Sequence, residues 1–308
     1  MPHFLDLKDF SKPSLRHMLT EAAARKQARA KLAKGEPDAD KPLKGKAIAL
    51  IFERPSTRTR FSFEMGIRQL GGEVFTVSGA EMQLGRGETV ADTARVVSRY
   101  VDGVMIRAKS HHTLLEFADA ASVPVINGLT NATHPCQVMA DVLTLEERKG
   151  SIEKTRSAWI GDGNNICASW IEAVGILGGG LRIATPKELR PNPDYLNWAK
   201  QKQADIEVMD SAAEAVKGAD NVLTDCWLSM HDPEEETARR AKLLLPYQVN
   251  EALMSRAKKD AIFMHCLPAH RNEEVTDAVF DGPASVVFDE AENRVHAQKA
   301  ILLSCFGK

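Results

Sequence analysis

Short apolar runs alternate with segments of helical periodicity along the chain. The apolar runs predict buried strands, and the segments that follow them carry apolar residues at the spacing of one helix face. A mostly exposed helix is predicted first, over 14–34, because this segment is rich in Ala, Arg and Lys. The predicted strands of the first part are 47–52, 73–78, 103–106 and 123–127, and the further helices are 61–68, 89–100, 113–121 and 135 to about 149.

The second part of the chain repeats this alternation. Its predicted strands are 157–161, 181–184, 206–209, 221–224, 261–264 and 286–288, and a last helix is predicted over 295–305. Alternating strands and helices are typical of parallel α/β structure. We therefore predict an α/β protein with two open doubly wound parallel-sheet domains, 1–150 and 151–290, and a C-terminal helix over about 291–308 that packs back on the first. Such domains bind ligands at the carboxyl ends of their strands, which predicts an active site in the cleft between them.

Composition narrows the class of protein. With 44% hydrophobic and 27% charged residues, the chain is globular, and 308 residues suggest about two domains. A net charge near −2 argues against binding to nucleic acid or to anionic membranes. The N-terminus lacks a signal-peptide pattern, and no apolar run approaches the roughly 20 residues that span a bilayer. The five cysteines are scattered without a Cys-x-x-Cys pair, so neither a disulfide framework nor a zinc site is indicated and we expect a cytoplasmic protein.

A phosphate site is predicted where the first strand turns into its helix. Ser56, Thr57, Arg58, Thr59 and Arg60 occupy this turn. The first N–H groups of a helix lack partners and, with the positive end of the helix dipole, favour an anion. An arginine adds a fork that grips two phosphate oxygens. The alternative is an ordinary N-cap followed by solvated arginines.

Other polar residues also stand at predicted strand ends. Arg107 ends a strand, His134 precedes a proline at a helix start, and Asp225 and Cys266 follow two strands of the second part. Arg107 at such a position needs an anion, and His134 can donate a hydrogen bond or a proton. Their alternatives are a capping histidine, a capping or solvated aspartate, and a buried cysteine that packs as a small hydrophobe. Spacing alone supports no covalent catalysis by Cys266.

A glycine-rich segment follows the strand at 157–161. Gly161 and Gly163 match the start of a dinucleotide fingerprint, but Ile166 stands where the third glycine belongs. Asn164 and Asn165 suit a small polar ligand better than a nicotinamide cofactor.

Five segments, in chain order, resemble the motifs of one family. They are Ser-Thr-Arg-Thr-Arg at 56–60, His-Pro-Cys-Gln at 134–137, Asp-Cys-Trp-Leu-Ser-Met at 225–230, His-Cys-Leu-Pro at 265–268 and Glu-Asn-Arg at 292–294. These segments are similar to motifs of the aspartate/ornithine carbamoyltransferase family. The segment 225–230 resembles the ornithine-recognition loop of its ornithine-using members, and the resemblance covers nearly the whole chain.

The resemblance implies transfer of the carbamoyl group from carbamoyl phosphate to the δ-amine of L-ornithine, giving L-citrulline and phosphate in arginine biosynthesis. It implies a carbamoyl-phosphate-binding domain (1–150), an ornithine-binding domain (151–290), a homotrimer with sites shared between subunits, and neither a metal nor an organic cofactor. Carbamoyl phosphate would be bound by Ser56, Thr57, Arg58, Thr59, Arg107, His134, Gln137, Cys266, Leu267 and Arg294, and by Gln83 from the neighbouring subunit. Ornithine would be bound by Asn165, Asp225, Ser229 and Met230. The catalytic residues would be Arg107, His134, Asp225 and Cys266.

In the implied reaction, the deprotonated δ-amine attacks the carbamoyl carbon, and Thr59, Arg107 and His134 stabilise the oxyanion that forms. Cys266 would lie near the amine and orient it or ease loss of its proton. The resemblance also implies a cis peptide bond between Leu267 and Pro268.

Other acceptors stay open as alternatives. Aspartate-using members have His-Pro-Thr-Gln and His-Pro-Leu-Pro where this chain has its own motifs at 134–137 and 265–268. Relatives that use putrescine or acetylornithine differ at the positions of Ser229 and Met230. A non-catalytic protein that binds carbamoyl phosphate is a further alternative, which a citrulline assay would distinguish.

Overall fold

The structure, a computed structural model, describes residues 3–79, 87–227 and 234–308, and it describes no side chains over 234–237. The chain forms two compact units. Unit 1 comprises residues 1–140 and 292–308, and unit 2 comprises residues 141–291.

Unit 1 is built on a four-stranded parallel sheet with the strand order β2-β1-β3-β4. The strands are β1 (Ala47–Phe52), β2 (Glu73–Ser78), β3 (Gly103–Arg107) and β4 (Val125–Leu129). The helices are α1 (Lys12–Ala28), α2 (Thr57–Gln69), α3 (Val90–Val97), α4 (His111–Ala120) and α5 (Pro135–Lys149), the last of which continues into unit 2. In β1, every residue after Ala47 is buried, as expected of an inner strand of a parallel sheet that helices cover on both faces.

Unit 2 is built on a five-stranded parallel sheet with the strand order β7-β6-β5-β8-β9. The strands are β5 (Arg156–Ile160), β6 (Gly180–Ala184), β7 (Asp205–Met209), β8 (Asn221–Thr224) and β9 (Ile262–His265). The helices are α6 (Asn165–Leu177), α7 (Pro193–Gln201), α8 (Ala212–Val216), α9 (Glu234–Leu244), α10 (Glu251–Met254), α11 (Asp277–Phe280) and α12 (Val287–Cys305). Short 3-10 turns lie at Leu7–Asp9 in unit 1, and at Ile152–Lys154, Lys187–Leu189 and Leu245–Tyr247 in unit 2.

The end of α12 belongs to unit 1, and a buried charge network joins it to the rest of that unit. Lys299 is fully buried, and its Nζ lies 2.7 Å from one carboxylate oxygen of Asp38 and 3.2 Å from Gln69 Oε1. Arg29 Nη1 donates to the other oxygen of Asp38 at 2.6 Å. Burial alone would raise the pKa of Asp38, but the hydrogen bonds from Lys299 and Arg29 lower it, so the carboxylate stays charged.

The predicted fold class is confirmed, because both sheets are parallel and lie in α/β units. All but one of the predicted strands are present, with ends that agree to within two residues. The strand predicted at 286–288 is wrong, since α12 begins at Val287. A run of three apolar residues fits either a strand or a helix, and here Val287 is buried whereas Phe288 is exposed. The first helix ends at Ala28 rather than at 34, with Arg29 as its C-cap, and the guanidinium of Arg29 bonds Asp38.

None of the helices in the described ranges is both long and apolar enough to cross a membrane.

Candidate functional site

The carboxyl ends of β1, β3 and β4 lie at one edge of the unit 1 sheet. Phe52 is in register with Arg107, and Arg107 is in register with Leu129. The segments that leave these three strands therefore start side by side. This register gathers the start of α2, the side chain of Arg107 and the start of α5 from distant parts of the sequence.

The start of α2 has the features of an anion site. Ser56 is the N-cap, and its Oγ accepts from the backbone N–H of Thr59 at 3.4 Å. The N–H groups of Thr57 and Arg58 donate to no acceptor among the described residues, as expected in the first turn of a helix. The predicted N-cap and the predicted phosphate cradle are thus compatible, since the cap occupies only the third of these donors.

Two arginines of this turn differ in their partners. Arg60 is exposed and pairs with Glu64, at 2.8 Å from Nε to Oε1. Arg58 is only partly exposed, and the described part of the chain offers its guanidinium neither a hydrogen bond nor an ion pair. An unpaired guanidinium beside free helix N–H groups suits an incoming anion.

Thr59 connects two further arginines inside unit 1. Its hydroxyl is fully buried and accepts from Arg107 Nη1 at 3.3 Å and from Arg294 Nη2 at 2.8 Å. Arg294 also donates through Nη1 to Gln137 Oε1. We call these four residues the arginine cluster. A hydroxyl has two acceptor positions and one proton, so the proton of Thr59 stays available, and it meets no acceptor among the described residues.

His134 lies at the start of α5 and is buried. Burial lowers the pKa of its imidazole well below the ordinary value, and the positive charges of Arg294 and Arg107 lower the pKa further. The ring is therefore neutral at physiological pH. The guanidinium groups of Arg294 and Arg107 place positive charge near this ring, which favours an anionic ligand.

In unit 2, the carboxyl ends of β5, β8 and β9 carry a second set of polar residues. Asn164 caps α6, and its Oδ1 accepts from two backbone N–H groups of the first turn. Its Nδ2 donates to Asp225 Oδ2 at 2.6 Å, and Cys266 Sγ donates to Asp225 Oδ1 at 3.0 Å. We call Asn164, Asp225 and Cys266 the aspartate cluster. Each carboxylate oxygen has further lone pairs, so the cluster can still accept from an ammonium group.

Cys266 is held in its neutral form. Burial raises the pKa of the thiol well above its ordinary value, and the negative charge of Asp225 raises the pKa further. Because the thiolate is the reactive species of cysteine, Cys266 is not a nucleophile at neutral pH. The thiol instead orients the carboxylate of Asp225.

A buried histidine fixes the turn that follows β9. The backbone N–H of His265 donates to Glu290 Oε2 at 2.9 Å, and its ring Nε2 lies 3.1 Å from Glu274 Oε1. Its Nδ1 accepts from the N–H of Leu267 at 2.9 Å, so Nε2 is the ring nitrogen that donates to Glu274. The bond between Leu267 and Pro268 is cis, as the resemblance implied. With its N–H occupied, Leu267 has only its carbonyl group to offer a ligand.

The glycines of the predicted fingerprint serve the local backbone. Gly161 has a φ of +124°, a conformation that favours glycine. A Cβ at Gly163 would lie 2.3 Å from the backbone nitrogen of Pro191. Close packing and backbone geometry therefore account for both glycines without a dinucleotide.

Hydrogen bonds join some of the residues singled out from the sequence and add Asn164 to the set. Thr59, Arg107, Gln137 and Arg294 are joined by hydrogen bonds, whereas no bond joins Thr57 or Arg58 to them among the described residues. Asn164, the neighbour of the predicted ornithine ligand Asn165, donates to Asp225. The preference of asparagine for N-caps could have identified Asn164 from the sequence. Gln83, Ser229 and Met230 lie outside the described residues.

Two family models match the chain. Residues 2–147 match the family described as aspartate/ornithine carbamoyltransferase, carbamoyl-P binding domain. Residues 153–305 match the family described as aspartate/ornithine carbamoyltransferase, Asp/Orn binding domain. Together the two matches cover nearly the whole chain.

Full-length relatives carry one name. The chain is 59% identical over 306 residues to the ornithine carbamoyltransferase of Rhodopseudomonas palustris (99% of this chain, 97% of that protein). It is 57% identical over 307 residues to that of Paracoccus denitrificans, with 100% of both chains covered. Among solved structures, it is similar to anabolic ornithine carbamoyltransferase from Campylobacter jejuni (TM-score 0.93, 41% identity, 100% of this chain and 99% of that chain). It is also similar to ornithine carbamoyltransferase from Pyrococcus furiosus (TM-score 0.92, 44% identity, 98% of this chain and 96% of that chain).

Proposed function

Since the chain belongs to the aspartate/ornithine carbamoyltransferase family, we propose that it transfers the carbamoyl group of carbamoyl phosphate to the δ-amine of L-ornithine. The products are L-citrulline and phosphate. The observation that carries the proposal is the buried hydroxyl of Thr59, which holds two arginines beside the first turn of α2. A positively charged, preformed site of this kind suits a donor whose phosphate is anionic throughout the reaction.

Unit 1 binds the donor in this proposal. The N–H groups at the start of α2 and the guanidinium of Arg58 bind the phosphate, together with the side chains of Ser56 and Thr57. Arg107 lies at the junction of phosphate and carbamoyl group, because it bonds Thr59 on the helix that binds the phosphate. As phosphate leaves, its negative charge grows, and these donors are already in place to stabilise it.

The carbamoyl oxygen becomes an oxyanion when the amine attacks, and it needs hydrogen-bond donors positioned in advance. Arg107 and the free proton of Thr59 supply two of them. The neutral ring of His134 supplies a third as a donor, without adding a charge that would compete with the arginines for the anion. Gln137 and Arg294 hold the cluster and contact the carbamoyl group.

The amide nitrogen of the carbamoyl group needs acceptors instead. The carbonyl oxygens of Cys266 and Leu267 accept no hydrogen bond from the described residues. Since the N–H of Leu267 is occupied by His265, these carbonyl groups are the contacts that the turn offers. They distinguish the nitrogen end of the carbamoyl group from its oxygen end.

Unit 2 binds ornithine in this proposal. Asp225 accepts a hydrogen bond from the α-ammonium group of ornithine, and Asn165, Ser229 and Met230 bind the rest of its amino-acid end. The thiol of Cys266 donates to one oxygen of Asp225, and the remaining lone pairs of the carboxylate can accept from the α-ammonium group. Because only the uncharged δ-amine is nucleophilic, loss of its proton precedes the attack.

We further propose that the protein acts in the cytoplasm, in arginine biosynthesis, as a homotrimer in which Gln83 completes the site of a neighbouring subunit. A mixture of Gln83→Ala and Arg107→Ala subunits, exchanged under mild denaturant, should regain part of the activity. Sites that receive both intact residues from different chains would account for the gain. Confirmed subunit exchange without any recovery of citrulline formation would contradict shared sites.

The central experiment is product analysis with carbamoyl phosphate and a panel of acceptors. L-Ornithine should give citrulline and phosphate in equal amounts. Putrescine, N-acetylornithine and aspartate should give no carbamoylated product at comparable rates, because polar groups placed for an absent partner reject such analogues. Turnover of another acceptor at the same rate as ornithine would change the assigned acceptor but not the assigned family. Binding of carbamoyl phosphate without turnover of any acceptor would indicate a non-catalytic binding protein.

A further inference from the structure

A second group of metal-ligating side chains lies next to the aspartate cluster in unit 2. Cys226 follows Asp225 directly in the chain, and His270 and Glu274 lie in the segment after β9. One ligand atom of each of the three side chains lies within 4.8 Å of the other two. We propose that Cys226, His270 and Glu274 bind a transition-metal ion of the Zn²⁺ class. We call this the Cys226 site, and its existence is independent of the proposed reaction.

Glu274 provides the strongest reason for a cation. Its side chain is fully buried. One carboxylate oxygen, Oε1, accepts from the backbone N–H of His270 at 2.6 Å and lies 3.1 Å from His265 Nε2. The other oxygen, Oε2, is buried and has no hydrogen-bond partner in the described part of the chain. A buried carboxylate oxygen without a partner is unfavourable, and a metal ion bound to it would remove that cost.

His270 can present a ring nitrogen to the same ion. Neither nitrogen makes a hydrogen bond within the described ranges, and the nearest acidic atom is Glu273 Oε2, at 3.6 Å from Nδ1. Cys226 is partly exposed, so an ion can reach the group from solvent. Its thiol now donates to the carbonyl oxygen of Pro268 at 2.7 Å, and that proton would be released when the sulfur binds a metal.

The segment that carries two of the ligands is held in place by its backbone. The N–H of Glu273 donates to His270 O at 3.0 Å, which closes a turn. Val249 donates to Glu274 O at 2.9 Å and accepts from Thr276 at 3.1 Å. Ligands around Zn²⁺ lie ~3.3–3.8 Å from one another when metal–ligand distances are 2.0–2.3 Å. Small rotations of Cys226 and His270 about this fixed backbone would therefore complete the site.

The neighbouring group Asp225, His265 and Cys266 has comparable spacing but lacks available ligand atoms. Nδ1 of His265 already accepts from Leu267, and Nε2 faces Glu274. Cys266 is bonded to Asp225, and burial raises the pKa of its thiol. The two groups are close together, but of the two only the Cys226 site offers an imidazole and a carboxylate oxygen without hydrogen bonds from the described residues.

The ligand types select the class of metal. A thiolate, an imidazole and a carboxylate favour Zn²⁺ over Mg²⁺ or Ca²⁺, which prefer oxygen ligands alone. Three protein ligands leave a fourth tetrahedral position for water, which is the arrangement of an exchangeable site rather than of a closed structural one. His265 would act from behind Glu274, because it orients the carboxylate through Oε1.

The test uses the full-length protein, freed of metal with a chelator and titrated with Co²⁺, which takes tetrahedral zinc sites and is coloured. We expect one Co²⁺ per chain, with thiolate-to-cobalt charge-transfer absorption, release of a proton and displacement by Zn²⁺. Cys226→Ala should abolish the charge-transfer band. Both Cys226→Ala and His270→Gln should weaken Zn²⁺ binding by about 100-fold. Loss of a residue that only orients a metal ligand weakens binding by about 10- to 100-fold, and loss of the ligand itself should weaken it at least as much.

Cys266→Ala is the matched control, since it removes the neighbouring thiol and should leave the band and the affinity intact. Circular dichroism and thermal unfolding without metal would show that each variant is folded. His270→Gln offers a second folded variant, because the ring makes no hydrogen bond that the change would remove. The proposal is wrong if the wild-type protein shows no saturable thiolate–cobalt band, if Cys266→Ala rather than Cys226→Ala abolishes the band, or if His270→Gln binds Zn²⁺ as tightly as the wild-type protein.

Discussion

Replacement of Thr59 by valine would test the arginine cluster directly. Valine keeps the shape of the side chain and removes the acceptor of two guanidinium groups, one at 2.8 Å and the other at 3.3 Å. A hydrogen bond to a charged group contributes about 1.5–3 kcal/mol, and the longer bond contributes at the lower end or below. The change also removes the proton that the hydroxyl offers to the carbamoyl oxygen. We therefore expect a loss of about 2–4 kcal/mol of transition-state stabilisation, or a fall of about 30- to 1,000-fold in kcat/KM for carbamoyl phosphate.

The assay is the initial rate of citrulline formation at saturating ornithine over a range of carbamoyl phosphate. Ser62→Ala is the matched control, because Ser62 is a buried hydroxyl one turn along α2 that donates only to the backbone oxygen of Thr59, at 3.3 Å. This variant should lose some stability and keep its kcat/KM within the same order of magnitude as wild type. If folded Thr59→Val also kept its kcat/KM within that range, the reasoning that this hydroxyl positions the arginines would be refuted.

Three further changes have expected outcomes. Arg58→Gly removes a guanidinium that no described acidic residue engages, so calorimetry should show carbamoyl-phosphate affinity falling about tenfold or more. Its melting temperature should fall by no more than that of Arg60→Gly, which also places a glycine in α2. Asp225→Asn keeps the shape but removes the charge that binds the amine, so kcat/KM for ornithine should fall by about 30-fold or more while carbamoyl-phosphate affinity is unchanged. Burial lowers the pKa of His296 to about 4 from an ordinary value of 6.5. Below pH 6.5 the unfolded chain accepts a proton that the folded protein resists, so the free energy of unfolding of the wild-type protein should fall by about 2 kcal/mol between pH 8 and pH 5. Urea unfolding of His296→Gln should lack this fall.

Each of these changes has a control in the chain. Arg60→Gly removes an exposed arginine that is paired within α2, and equal effects at both arginines would contradict a specific role for Arg58. Asp210→Asn changes an exposed aspartate that follows β7, and it should leave ornithine kinetics unaltered. His112→Gln removes an exposed histidine. If its pH dependence of unfolding differed from wild type as much as that of His296→Gln, burial would not be the cause.

The fold was predictable from sequence because parallel strands covered by helices are apolar over their whole length. β1 is of this kind, whereas β8 is buried throughout but begins with Asn221 and ends with Thr224. The run at 286–288 failed as a prediction because three residues are too few to show a period. The backbone of 284–286 makes just a single bridge to Phe263 of the edge strand β9 before α12 begins at Val287. The segment after α1 contains Arg29 and Asp38, whose side chains bond each other, a contact that the composition of the predicted helix does not report.

The candidate site was predictable only in part. Strand ends and helix starts have recognisable residues, so Thr59, Arg107 and Asp225 could be singled out as separate positions. The hydroxyl of Thr59 bonds both Arg107 and Arg294. These three residues come from distant segments, so no spacing in the sequence predicts the two bonds. The Cys226 site was missed for the same reason, since its ligands come from two segments far apart in the chain. Sequence spacing identifies metal sites only when the ligands share one local element.

The route of the chain through the two units has a consequence for how the protein is made. Unit 2 is contiguous in sequence, whereas unit 1 is completed only by residues 292–308. A ribosome adds about 5–20 residues per second, so unit 1 waits roughly 8–30 s, the time needed to synthesise residues 141–291, before its last segment emerges. Until then Asp38 lacks the ammonium group of Lys299, and Thr59 lacks Arg294. Unit 1 of the nascent chain therefore remains incomplete while the whole of unit 2 is synthesised. Chaperones and proteases can act on the incomplete unit during this interval.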